Sequence, residues 1–311
     1  MITAITRSNK ALLKRLQELG SEVGNTPLVP LQNIFRKQQV KIYAKQEWKQ
    51  LSGSVKCRAA YHIIKDAIEN YELDEDIALL DATSGNTGIA YAAIGQRLGI
   101  NVTLCLPENA SKERKEILLS LGAEIIYTSK FEGTDGAREV AKELAAENPD
   151  KYFYADQYKN ENNWRAHYET TALEIFNQVP GITHFVAGLG TTGTFVGTGR
   201  RLRELNPNIQ LISLQPDSAL HALEGWKHLE TAAVPPIYDA GVADHNIEVS
   251  TEEAYHHLKA ILKNEGWLVS PSAAANVAGA IKVAEKIKVG IVVTVLPDNA
   301  DKYGDVIKKI L

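Results

Sequence analysis

The stretch IALLDATSGNTGIAYAAIGQRLG, residues 77–99, decides the fold class. A short apolar run ends in small polar residues and passes at once into a helix-period segment. The same alternation recurs on both sides. KIYAKQE (41–47) precedes a helical stripe of Val55, Ala59, Ile63 and Ala67, and NVTLCLP (101–107) precedes KERKEILLSLG. EIIYTS is followed by GAREVAKELAAE, YFYADQ by NWRAHYETTALEIF, and HFVAGLG by FVGTGRRLREL; IQLISLQ and GIVVTVLPD complete the strand set. Strands alternating with helices imply parallel sheets flanked by helices, the α/β class. A chain of 311 residues is long enough for a large core and two lobes. Ligands of such folds bind at the carboxyl ends of strands, where loops turn into helices.

Composition narrows the function classes. Apolar content of 44% with 23% charged residues describes a folded, water-soluble chain rather than a disordered one. A formal charge of −4 gives no general electrostatic reason to bind nucleic acid or an anionic membrane. Cys57 and Cys105 are too few for a disulfide scaffold, and no Cys/His spacing suggests a metal site. No apolar run approaches the ~20 residues that a membrane helix needs. The start, MITAITRSNKALLKRLQELG, has an amphipathic ALLKRLQEL in place of a signal-peptide core, so a cytoplasmic location is expected.

Four places carry chemistry. In GLGTTGT (188–194) glycines and threonines join a strand to a helix, so backbone N–H groups and hydroxyls can cradle a phosphate. Gly188, Gly190 and Gly193 also spell the dinucleotide fingerprint GxGxxG, which leaves a dinucleotide-binding oxidoreductase open. In TSGNTG (83–88) small hydroxyl and amide residues at a helix start suit a carboxylate, or overbuild an N-cap. In SPSAAA (270–275) Ser270 or Ser272 either caps a helix or stands beside a flat ligand. Lys56 is expected as the second or third residue of a helix that Ser52 or Ser54 can cap, where the macrodipole disfavours a cation by about 0.3–1 kcal/mol. It is either a solvated lysine or an amine kept neutral for Schiff-base chemistry. Asn109, His256 and His257 are read as surface residues.

The ordered set GNTPL (24–28), SGSVK (52–56), TSGNTG (83–88), GLGTTGT (188–194), SPSAAA (270–275) and LPD (296–298) resembles the cysteine synthase family of fold-type II pyridoxal-phosphate enzymes. It is closest to the B-type, CysM-like branch. The resemblance implies a two-lobed fold similar to the tryptophan synthase β-subunit, with parallel-sheet lobes flanked by helices. A small mobile domain (46–157) would close on a larger cofactor-binding one (1–45 and 158–311), usually in a homodimer. Pyridoxal 5'-phosphate would form a Schiff base with Lys56, which also moves the substrate's α-proton. Asn86 would bond the ring's phenolic oxygen; Gly190, Thr191, Thr192, Gly193 and Thr194 would hold the phosphate; Ser272 would face the ring nitrogen. Thr83, Ser84, Gly85 and Thr87 would take the substrate carboxylate, with Gln157 reaching in.

The implied reaction is β-replacement on O-acetylserine or O-phosphoserine, through an aminoacrylate, by sulfide or another sulfur donor, giving L-cysteine. A sulfur-carrier protein is one source that the resemblance allows. Cystathionine β-synthase, a diaminopropionate-type synthase and a serine/threonine dehydratase are the alternatives on the same fold. Three positions depart from the family pattern. Cys57 stands where aspartate is common and is expected to be structural, Thr192 replaces a glycine, and Asn299 follows LPD. In the variable entrance segment 215–239, Lys227 is expected near the mouth, biasing the choice of donor.

Overall fold

A computed structural model describes residues 7–83 and 85–311. In chain order the first elements are α1 (Arg7–Gly20), β1 (Leu28–Pro30), β2 (Val40–Gln46), α2 (Lys56–Glu69), β3 (Ala78–Ala82), α3 (Asn86–Leu98), β4 (Val102–Pro107) and α4 (Lys112–Ser120). There follow β5 (Glu124–Thr128), α5 (Gly133–Glu147), β6 (Tyr152–Tyr154), α6 (Asn162–Ala166), a π turn (His167–Thr171), α7 (Ala172–Gln178), β7 (His184–Gly188) and α8 (Gly193–Leu205). The last are β8 (Gln210–Pro216), β9 (His245–Val249), α9 (Thr251–Glu265), α10 (Pro271–Lys286), β10 (Gly290–Leu296) and α11 (Gly304–Ile310). The chain divides into two compact units. Unit 1 comprises residues up to 24, 50–52 and 56–162; unit 2 comprises 25–49, 53–55 and 163–311.

Unit 1 is built on a parallel sheet in the order β5-β4-β3-β6. Strand β3 is buried along its whole length because helices cover both faces. Ala78, Leu80 and Ala82 join Ala137 and Ala141 of α5 on one face, whereas Leu79 joins Ile63 and Ile64 of α2 and Ile94 of α3 on the other. That division is the period of two expected of a strand. Cys57 is fully buried in the second cluster, so its role is packing. Helix α1 belongs here too, although the expected boundaries place residues 1–45 with the larger domain. Leu12, Leu16 and Leu19 lie in the α2–α3 cluster, and the Tyr61 hydroxyl donates to the Leu16 carbonyl at 3.1 Å. Each such leucine contributes about 2 kcal/mol of burial, enough to recruit an amphipathic helix.

Unit 2 is built on a sheet in the order β1-β2-β10-β7-β8-β9, in which β1 is antiparallel to β2 and the other neighbours run parallel. The alanine-rich α10 lies buried on one face with α9; Phe195 and Leu202 of α8 and Ile175 of α7 cover the other. Strands β1 and β9 and helix α9 were not among the expected elements. β1 is three residues long and β9, HNIEV, is mostly exposed, so neither shows apolar alternation. Helix α9 does have a readable start, since Ser250 and Glu253 form a capping box.

Buried charge fixes the first strands of unit 2. Lys45 is 0% exposed. Its Nζ lies 2.8 Å from the Glu174 carboxylate and donates to the Thr26 carbonyl at 3.0 Å. The Thr26 hydroxyl donates to buried Glu47 at 2.6 Å, and Gln178 also donates to the Thr26 carbonyl. The GNTPL segment is thus bonded into the unit through Thr26. Removing one member of a buried pair leaves the other charge uncompensated. Lys45→Ala is expected to lower unfolding free energy by about 3 kcal/mol, measured by urea denaturation.

Candidate active site

Lys56 is the first residue of α2 and is partly exposed. The three residues before it are held within unit 2. The Val55 N–H donates to the Pro297 carbonyl at 2.8 Å, Ser54 bridges to Asp298, and Lys302 donates to the Gly53 carbonyl at 3.1 Å. The LPD motif therefore fixes the approach to the lysine. Ser54 does not act as the expected cap, because its hydroxyl is buried without a hydrogen bond among the described residues.

The TSGNTG loop lies between β3 and α3 in unit 1, with Gly85 as N-cap and Asn86 and Thr87 in the first turn. Ser84 lies outside the described residues. Thr83 accepts the Gly85 N–H at 3.3 Å, and Thr87 donates to Gln157 Oε1 at 2.6 Å. The structure therefore brings Thr83, Gly85, Asn86, Thr87 and Gln157 to one helix start, where orphan N–H groups favour an anion.

Asp81 organises this region and escaped the sequence reading. One carboxylate oxygen accepts the Ala82 N–H at 2.7 Å; the other accepts the Gln157 N–H at 3.3 Å. Burial pushes its carboxyl up to about 7, and Asp156 adds to the rise; the two N–H groups and Tyr91 oppose it. An acid closing a wholly apolar strand was the available signal.

The GLGTTGT loop of unit 2 leads from β7 into α8, with Thr192 as N-cap. A Cβ at Gly190 would lie 2.0 Å from the Gly225 carbonyl, and one at Gly193 2.1 Å from Asn163 Oδ1. Only glycine permits these approaches. Thr192 adopts φ +73, a left-handed conformation unusual for a β-branched residue. It is 2% exposed, and its Oγ1 has no hydrogen-bond partner among the described residues. A buried, unpartnered hydroxyl beside the start of a long helix fits a phosphate monoester, which supplies the missing acceptor.

Ser270, Ser272, Lys227 and Asn299 also belong to unit 2. Ser270 caps α10, accepting the Ala273 N–H at 3.2 Å, while Ser272, buried in the first turn, lies 3.1 Å from the Ser270 hydroxyl. Of the two expected candidates, Ser270 is therefore the cap. The Lys227 N–H donates to the Leu189 carbonyl at 2.8 Å, which places the residue against the glycine loop. Asn299 Oδ1 accepts the Asp301 N–H and its Nδ2 donates to the Asp301 carboxylate, both within a short 3-10 turn.

Because Asp81 holds its proton more tightly folded than unfolded, its contribution to stability is greatest below about pH 4 and declines as pH rises toward 7. Asp81→Asn should remove that slope. Thermal melts between about pH 5 and about pH 8 are expected to show the variant gaining on the wild type as pH increases.

Similarity to known proteins agrees with this chemistry. A family model described as pyridoxal-phosphate dependent enzyme matches residues 19–298. The chain is 44% identical over 289 residues to a cysteine synthase of Aquifex aeolicus, covering 90% of this chain and 88% of that one. It is 36% identical over 289 residues to cysteine synthase B of Escherichia coli, covering 93% and 94%. The crystal structure of a cysteine synthase from Entamoeba histolytica matches with a TM-score of 0.87 at 30% identity, covering 92% of this chain and 88% of that one. The helix-flanked parallel sheets are those of the fold-type II architecture, and the matching family is a pyridoxal-phosphate one and not a dinucleotide-binding one. The chain belongs to the pyridoxal-phosphate dependent enzyme family.

Proposed function

We propose that the protein is a cysteine synthase, replacing the β-oxygen substituent of O-acetylserine or O-phosphoserine with sulfur to give L-cysteine. The observation that carries this reading is the Thr87–Gln157 hydrogen bond at the start of α3. It joins two separate loops around a set of donors suited to an amino-acid carboxylate. Likeness to proteins named cysteine synthase supports the same conclusion. The reading carries with it a cytoplasmic homodimer, as the family resemblance implies.

Pyridoxal 5'-phosphate supplies, when bound, the electron sink that makes the substrate α-proton acidic. Gly190, Thr191, Thr192, Gly193 and Thr194 would hold its phosphate, Asn86 its phenolic oxygen, and Ser272 its ring nitrogen. Lys56 would anchor it and move the substrate's α-proton. Its place at a helix N-terminus favours the neutral amine that this work needs. Thr83, Ser84, Gly85, Thr87 and Gln157 orient the substrate carboxylate. The departing group leaves as acetate or phosphate, and sulfur forms the new bond to the β-carbon. Lys227, bonded through its backbone to the cofactor-phosphate loop, favours a phosphorylated donor through its charge.

Two experiments test this reading. Borohydride reduction of the cofactor-loaded protein is expected to fix the cofactor to the peptide carrying Lys56. Lys56→Ala should lose both the adduct and cysteine formation, the latter by about 10³-fold or more; an adduct elsewhere overturns the assignment. Lys227→Ala is expected to lower the ratio of O-phosphoserine to O-acetylserine turnover by about fivefold, and an unchanged ratio refutes its role in donor choice.

A further inference from the structure

The helix running from Asn162 to Gln178 contains one π turn, in which the Ala172 N–H donates to the His167 carbonyl. A π turn inserts one extra residue and recurs at functional sites. Here it carries a histidine that is only 2% exposed. His167 Nδ1 lies 2.9 Å from the hydroxyl of Thr171, which is itself buried, and Nε2 lies 3.1 Å from the Thr194 hydroxyl. Thr194 is the second residue of α8, within the loop assigned to the phosphate. The two helices meet at backbone distance, since a Cβ on Gly197 would lie 1.9 Å from the Trp164 carbonyl. Packing this close holds the ring in place.

A neutral imidazole has one donor and one acceptor nitrogen. With the proton on Nδ1, Nε2 accepts a hydrogen bond from the Thr194 hydroxyl, which is thereby occupied as a donor. The threonine then presents only lone pairs to an anion. With the proton on Nε2, the ring donates to Thr194 Oγ1, and the threonine's own proton is left to donate elsewhere. The Thr171 hydroxyl then donates to Nδ1. A phosphate dianion requires donors.

We infer that His167 is a positioning residue for phosphate recognition, protonated at Nε2 and thereby making Thr194 a hydrogen-bond donor to the cofactor phosphate. This rests on the reading of residues 188–194 as the cofactor-phosphate loop. The chain Thr171, His167, Thr194 sets the direction of hydrogen bonding from the fully buried end toward the ligand.

The test combines a spectroscopic readout with binding. Long-range ¹H–¹⁵N correlation on cofactor-loaded, histidine-labelled protein is expected to show His167 protonated at Nε2; an unprotonated Nε2 overturns the inference without any substitution. In titrations followed by tryptophan fluorescence, His167→Leu should weaken pyridoxal 5'-phosphate binding by about tenfold or more. Its affinity for pyridoxal, which lacks the phosphate, should be unchanged. His167→Gln, which restores an N–H at similar reach, should recover the phosphate-dependent part. Adding His167→Leu to Thr194→Val should cost nothing further. A leucine variant that binds like the wild type, or loses pyridoxal and its phosphate alike, overturns the inference while leaving the cofactor assignment intact. A wild-type protein that takes up no cofactor overturns that assignment and the inference with it.

Discussion

One buried amide holds the GLGTTGT loop in place. Asn276, on α10 and 3% exposed, accepts the Gly188 N–H at 2.8 Å and donates to the Val295 carbonyl at 2.8 Å. It therefore ties the end of β7, the end of β10 and the first turns of α10 to a common position. Around it the Leu189 N–H donates to the Leu214 carbonyl, and the Leu189 carbonyl accepts from Lys227. These bonds set the start of the loop, from which its glycines approach Gly225 and Asn163 closely. A hydrocarbon at position 276 would leave the Gly188 N–H without its partner at the point where the strand passes into the loop.

Unit 1 solves a similar problem with a charge. Asp81 joins the end of β3 to the loop carrying Gln157 by accepting an N–H from each. Burial and the neighbouring Asp156 raise the carboxyl's affinity for a proton, whereas the two N–H bonds that order the loop favour its ionised form. The two devices differ in kind. A neutral amide satisfies donor and acceptor together at any ordinary pH, whereas a buried acid couples the geometry of a loop to the proton concentration.

Much of this arrangement was legible in the chain. The runs that became β3, β4, β7 and β10 are almost wholly buried because helices cover both sheet faces, and a burial pattern of that kind is written in composition. TSGNTG and GLGTTGT were legible as strand-to-helix turns, because each follows an apolar run and precedes a helix-period segment. β9 was not, because its residues gain their structure from pairing with β8 and not from burying a face. The roles of Asp81, Asn276 and His167 depend on partners far away in sequence, so residue type alone could not reveal them. The attachment of α1 to unit 1 is of the same kind, decided by which apolar surface was left to cover. The departures were explicable afterwards. Cys57 fills a packed space, and Asn299 serves a local turn.

Thr192 carries a consequence for how the polypeptide balances folding against ligand retention. Its left-handed backbone costs about 1–2 kcal/mol relative to an ordinary conformation, and burying a hydroxyl without an acceptor costs a further ~1–3 kcal/mol. Both penalties are built into the folded chain. An anion that accepts that hydroxyl's proton recovers the second as binding free energy, so the fold is less stable by itself than with its ligand. Glycine at this position would relieve both penalties and relinquish that grip. Threonine makes the opposite exchange, trading intrinsic robustness for a slower escape of whatever the loop has captured.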